Sequence, residues 1–257
     1  MNVEALDISI LGPAFIAGLL ILSTHVPLGQ EVLNRGIIFI DLAIAQIAGL
    51  GIIAAASFGW EAHGWEVQII AVSAALLGAL LLSQCEKRFP DIEEPLIGIL
   101  FVLAATGGIL LLANNPHGGE HLKELLVGQI LWVSYQQLIP VMALYALILA
   151  VWFGLRVKQR RFGFYALFAI TVTASVQLIG IYLVFASLII PALATRMLNN
   201  KSRLWAGYGI GLFGYAAGLG LSALYDLPSG AIIVWMLAAF SIMFSLFRAG
   251  ENKLMRK

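Results

Sequence analysis

One acid stands inside an apolar stretch. Asp41 sits in GIIFIDLAIAQIAGLG, a few residues into a run long enough to enter a bilayer. A carboxylate there costs roughly 2.5–3.5 kcal/mol on insertion scales, so it is expected to face a cavity, a partner or a cation rather than lipid. An oxygen donor of this kind suits a divalent metal ion. Gln46 lies five residues on, roughly 140° around a helix beyond a full turn, which makes it a poor companion ligand. The competing role for Asp41 is that of a helix-end acid near Arg35.

A second group lies in NNPHGGEHLKE, residues 114–124, where His117, Glu120 and His121 spell His-x-x-Glu-His. That order matches the inverted zinc-protease motif, which needs a helix to hold both imidazoles on one face. Gly118 and Gly119 each weaken such a helix by about 1 kcal/mol, so the sequence predicts a flexible polar loop. Three roles stay open for it: a solvated connector, transient metal capture near an entrance, or a hydrolytic zinc site. His63, with Glu61 and Glu66, falls under the same alternatives. His25 reads as structural, and the single cysteine, Cys85, excludes an internal disulfide and cysteine-rich metal sites.

The third stretch is LIGIYLVFASLIIPALATRMLNNK, Leu178 to Lys201. Proline lacks an N–H and disfavours helical geometry in the residue before it, so a helix is expected to end or kink near Ile190. Small residues follow, then a basic exit with Arg196, Lys201 and Arg203. Further on, Asp226-Leu227-Pro228-Ser229-Gly230 has the chemistry of a tight helix–helix turn, with Asp226 placed to cap the helix that follows.

The elements that hold these residues are apolar spans. Of 257 residues 61% are hydrophobic and 11% charged, against roughly 25% charged in soluble domains. The solvent for such a surface is lipid. The spans read Ile8 to Leu22, Gly36 to Phe58, Val67 to Leu82, Leu96 to Ala113, Ile139 to Leu155 after an amphipathic lead-in (Leu122 to Val133), Leu204 to Leu224 and Ala231 to Phe247. Phe164 to Pro191 is too long for one crossing of about 20 residues and short for two. It is expected to reverse near Gln177 to Gly180, giving eight or nine spans in all. The acidic N-terminus lacks the basic region of a signal peptide, so the first span is expected to be retained.

Of the 15 basic residues, all but Arg35 and Lys123 cluster at Lys87/Arg88, Arg156 to Arg161, Arg196 to Arg203 and Arg248 to Lys257. The positive-inside rule makes those segments cytoplasmic and places Glu61/His63, His117 to Glu124 and Asp226 outside. A net charge of +1 argues against nucleic acid as a partner. No Gly-x-x-x-x-Gly-Lys-Ser/Thr phosphate loop occurs, so this chain does not harvest ATP itself. Gly207, Gly211, Gly214 and Gly218 place small residues along one helix for close packing or for sliding against a second subunit.

Two of these stretches carry a resemblance. The glycine, apolar run and LIIPA-A-x-R ending at Arg196, together with the region of Asp41, resemble the permeases of bacterial metal-ion ABC importers of zinc, manganese and iron type. The turn at Asp226 is similar to that family's last outer turn. The family pattern around the acid is Gly-Asp-x-x-x-His. This chain keeps Asp41 but has Ala45 in the histidine's place, with Gln46 next.

The resemblance implies an all-α, polytopic permease of the type II ABC importer kind, one domain over residues 1–257, in the bacterial cytoplasmic (inner) membrane. It implies a translocation path by Asp41 and Gln46, and an ATPase-coupling segment of Pro191, Ala192, Ala194, Thr195 and Arg196. It also implies an outer gate at Asp226. Apart from the resemblance, the residue types of the outer segment make His117, Glu120 and His121 candidate metal contacts beside Asp41. The implied partners are a second copy of the chain, separate cytoplasmic ATP-binding subunits and an external metal-binding protein. No cofactor is held permanently. A divalent metal ion, zinc first and manganese or iron next, is the transported substrate. Two other classes fit parts of the sequence: an intramembrane metalloenzyme using the His117-Glu120-His121 loop, and a gradient-driven secondary transporter.

Overall fold

The structure, a computed structural model, describes residues 7–57, 60, 65–113, 115–154 and 161–254. Among these every regular element is a helix: α1 (Ile8–Arg35), α2 (Ile40–Ser57), α3 (Trp65–Arg88), α4 (Glu93–Leu112), α5 (Gly118–Val127), α6 (Tyr135–Gly154), α7 (Arg161–Ile179), α8 (Ile181–Ala194), α9 (Asn200–Tyr225) and α10 (Ser229–Leu254). Eight of them are long and apolar enough to cross a membrane; α8, apolar but only 14 residues long, and the short α5 are the others. Lipid offers backbone groups no partner, so spanning segments satisfy them internally as helices. Glu61, His63, Asn114, Arg156, Lys158, Arg160, Arg256 and Lys257, named above, lie outside the described residues.

Two compact units result. The first comprises Met1–Arg35, Gln129–Met142 and Tyr182–Lys257; the second comprises Gly36–Gly128 and Ala143–Ile181. In the first, α1 packs on α9 and α9 on α10, and α1 meets α8 at Gly29. Small residues set these distances. A Cβ on Gly29 would stand 2.0 Å from the Leu188 carbonyl oxygen, so α1 and α8 touch backbone to backbone. The glycine row of α9 divides between two neighbours of the same chain. Gly207 and Gly211 meet Val26 and Leu22 of α1, whereas Gly214 and Gly218 meet Leu237 and Ile233 of α10. Close packing is therefore what these glycines provide.

In the second unit α2 is the hub, packed against α3, α4 and α7. Its buried residues run along its whole length, from Ile40 to Ala55. Hydroxyl groups within the spans bond mostly to the carbonyl four residues back, as Thr171 to Leu167, Thr173 to Ala169 and Ser187 to Leu183 do. Others join helices, Tyr145 with Ser175 at 2.5 Å and, in the first unit, Ser187 with Tyr215 at 2.8 Å; between α3 and α7 the Gln68 side-chain amide donates to the Gln177 side-chain oxygen.

Three expectations change. The first helix does not stop at Leu22 but runs to Arg35, with Pro13 and Pro27 inside it. Pro191 likewise lies within α8, which continues to Ala194, so of the two outcomes open near Ile190, an end or a kink, the end is excluded. Neighbouring helices and local adjustments compensate the backbone carbonyl that a proline frees, so membrane helices tolerate it. Residues 118–127 form a helix rather than a flexible loop, because the Glu-His-Leu-Lys-Glu-Leu-Leu run of good helix formers outweighs two glycines at its start. Gly118 is there for space: a Cβ would lie 2.7 Å from the Leu112 carbonyl oxygen. The long Phe164–Pro191 run divides into α7 and α8 at Gly180, within the stretch where a break was expected, and its φ of +77° is one that glycine alone adopts freely.

Candidate functional site

Asp41 lies in the first turn of α2 and is 0% exposed. Among the described residues neither carboxylate oxygen has a hydrogen-bond partner. The start of α2 is instead served by Glu94 of α4, whose Oε1 accepts the Phe39 backbone N–H at 3.2 Å. Arg35, the cation near it in sequence, is paired with Glu31 on its own helix at 3.0 Å. The helix-end role open to Asp41 on the sequence is thus filled by another acid. What is left among the described residues is a buried carboxyl group without a partner, which costs free energy until a proton, a cation or a donor meets it. One turn on, Ala45 is fully buried and brings no donor. Gln46 is 7% exposed and sits on another face. Among the described residues no three His, Cys, Asp or Glu side chains gather as a metal cage.

The His-Glu segment forms two separate pairs rather than one cluster. His117 caps α5 from outside the helix, with its Nδ1 3.2 Å from Glu120 Oε2. His121 Nδ1 stands 4.0 Å from Glu124 Oε2. All four side chains are exposed on a short amphipathic helix. Such a surface can touch a passing cation; it does not enclose one.

The stretch from Pro191 to Arg196 grades from buried to exposed. Pro191, Ala192 and Thr195 are buried, Ala194 is half-buried and Arg196 is exposed. The Thr195 hydroxyl donates to the Pro191 carbonyl at 2.8 Å, which occupies the acceptor next to the proline and ends α8 in a turn. The chain then makes one turn to Asn199 and begins α9. Four residues into the regular turn, Arg203 is only 7% exposed and donates through one terminal nitrogen to Asn34 Oδ1 of α1 at 3.1 Å. That contact, 169 residues apart in sequence, fastens the segment to α1 and had no local signal. Asp226 caps the preceding helix, not the following one: its φ is +51°, and its N–H bonds to the Ser222 carbonyl at the end of α9. Ser222 Oγ closes the same turn by donating to the Leu227 carbonyl at 2.6 Å.

This fold is that of an all-α polytopic membrane permease. It superposes on PsaBC from Streptococcus pneumoniae, solved in complex with Fab, with a TM-score of 0.75 over 95% of each chain at 21% identity. The chain belongs to the ABC 3 transport family, whose model matches residues 7–153 and 149–248. It is similar to the manganese transport system membrane protein MntC of Halalkalibacterium halodurans, at 26% identity over 98% of this chain and 92% of that protein. It is also similar to the high-affinity zinc uptake system membrane protein ZnuB of Haemophilus influenzae, at 25% identity over 93% and 97%.

Proposed function

We propose that this chain is the membrane-spanning permease subunit of an ABC importer for a divalent first-row metal ion. The single observation that carries the reading is Asp41: a fully buried carboxylate with both oxygens free, on the hub helix of a transport-family protein. A cation in transit supplies the missing charge, and the protein binds it no more tightly than release requires. Asp41 is the ion's contact on the translocation path, with Gln46 further along the same helix. His117, Glu120 and His121 on exposed α5 act as a transient capture surface outside, and the Asp226 turn lies at the outer gate.

Zinc is the first cargo, from the His- and Glu-bearing outer segments. The bare oxygen donor at Asp41, beside Ala45, admits manganese and iron as well. The chain holds no cofactor permanently and contributes no catalytic residue. ATP hydrolysis belongs to cytoplasmic subunits that dock on Pro191, Ala192, Ala194, Thr195 and Arg196, on the side the basic residues mark as cytoplasmic. Two copies of the chain, one domain each, form the path in the bacterial inner membrane, and an external metal-binding protein delivers the ion. The test is uptake of zinc, manganese and iron by cells expressing the whole transporter, measured by elemental analysis, with the native chain or Asp41→Asn. Uptake of one or more of these ions that falls with the variant supports the reading. Accumulation of none of them overturns it.

A further inference from the structure

α9 and α10 pack tightly towards the Asp226 turn, where Cβ atoms on Gly214 and Gly218 would stand 2.6 Å from Leu237 and from Ile233. Towards Arg248 a groove opens between them, lined by Gly209 and Phe213 of α9 and Phe240 and Phe244 of α10. A second groove lies on another face of α10, between Ile190 and Leu193 of α8 and Ile242 and Leu246 of α10. Each is a cavity of about 630 Å³, within the range of roughly 300–1,000 Å³ that ligand sites occupy. Leu198 and Arg248 line both, and Arg196 joins them at the second.

Among the described residues the two cations have no acidic partner, and none lines either groove. Among the described residues neither Arg196 nor Arg248 forms an ion pair. A third group is also left open. Ser241, in the wall of the second groove, is 7% exposed, and its hydroxyl has no partner. One turn on, Ser245 does bond back, to the Ser241 carbonyl at 2.9 Å.

We propose that this double groove holds one anionic phospholipid. Its two acyl chains lie on either side of α10, its phosphate sits against Arg248 and Arg196, and a glycerol-ester oxygen accepts the Ser241 hydroxyl. Trp205, 74% exposed and edge-on to Tyr208 at 6.2 Å, stands on α9 close to Lys201 and Arg203. Aromatic residues of this kind mark the headgroup level of a bilayer, and basic pockets between helices at that level bind anionic headgroups. A second copy of the chain, the competing occupant, would leave the grooves closed to lipid. A soluble subunit has no acyl chains with which to fill the two apolar slots. The site stands whether or not residues 191–196 meet an ATPase, since Arg248, α9 and α10 form most of it.

The test uses the full-length protein in mild detergent, stripped of lipid and titrated with phosphatidylglycerol or phosphatidylcholine, with bound lipid counted by native mass spectrometry. Phosphatidylglycerol is expected to bind at one per chain and more tightly than phosphatidylcholine. Arg248→Gln should weaken it about fivefold, the factor for one cation near a charged headgroup. Gly209→Leu should also weaken it with every charge in place. A Cβ at 209 meets nothing within 4 Å, so that variant fills the groove without disturbing the helices. Equal binding of both lipids, phosphatidylglycerol binding unchanged in both variants, or equal protection from unfolding by inorganic phosphate alone overturns the proposal. So does a dimer whose grooves are closed and lipid-free.

Discussion

Gly128 and Gly180 make a sharp test of the second unit's packing. α5 ends at Gly128 and α7 at Gly180, with φ of +71° and +77°, and the two backbones meet there. A Cβ on Gly180 would stand 2.3 Å from the Gly128 nitrogen and 2.6 Å from the Val127 carbonyl carbon, main-chain atoms with no rotamer by which to step aside. Gly180→Ala therefore combines two costs: a left-handed backbone, about 1–2 kcal/mol for an L-residue, and overpacking, about 1–3 kcal/mol. The sum is about 2–5 kcal/mol. At roughly 2–4 °C per kcal/mol for a chain of this size, the unfolding midpoint falls by roughly 4–20 °C.

Gly36→Ala separates the two costs. Its φ is +76°, but nothing lies within 4 Å of a Cβ there, so only the backbone cost applies and the fall is roughly 2–8 °C. Gly220→Ala, helical and open on all sides, should raise the midpoint slightly, since alanine is favoured over glycine in helices by about 0.5–1 kcal/mol. The assay is thermal unfolding of the full-length protein in one detergent at one scan rate, followed by tryptophan fluorescence. A midpoint for Gly180→Ala no lower than that for Gly36→Ala would mean that the two backbones are not in contact.

Three further outcomes follow from other sites. Tyr145→Phe removes the buried bond to Ser175, but Ser175 keeps its bond to the Thr171 carbonyl at 2.7 Å; the cost should be about 0.6 kcal/mol, the mean for such bonds in membrane helices, and a loss of folding in expression trials would contradict it. Arg196→Glu, at an exposed position, should leave the unfolding midpoint in place while abolishing co-purification of the ATP-binding subunit; retained co-purification and uptake would remove the coupling role of residues 191–196. Replacing His117 and His121 together by alanine should lower uptake only at scarce metal and by a few-fold, because each imidazole meets one exposed acid; complete loss of activity at abundant metal would favour the metalloenzyme reading.

Much of the helical architecture was legible because a bilayer demands it. Apolar runs of the necessary length can only be helices there, and Gly180 stood in the one run whose length fitted neither one crossing nor two. What the sequence hid is tertiary. Pro27 and Pro191 look like stops, yet α1 and α8 run through them, and the Ser23 carbonyl that Pro27 frees accepts the Tyr208 hydroxyl of α9 at 3.1 Å. Two glycines seemed to forbid a helix at 118, but the Leu112 carbonyl leaves no room there for a side chain. Asp41 drew attention as a charge in an apolar span. That Glu94 takes over the helix-start role, leaving both Asp41 oxygens open, depends on a partner 55 residues from Phe39. The pairing of Arg203 with Asn34, and the arginines shared by the two grooves beside α10, rest on contacts that no local pattern encodes.

The central claim is that Asp41 is held buried and unpaired for a passing cation. Removing the charge then has opposite effects on stability and on transport. Asp41→Asn relieves an uncompensated buried carboxylate, so the unfolding midpoint should stay or rise, while ATP-driven radiometal uptake by the reconstituted transporter should drop by at least about tenfold, the loss of roughly 1.4 kcal/mol of ion stabilisation. Uptake at the native rate in a folded Asp41→Asn transporter would contradict the account.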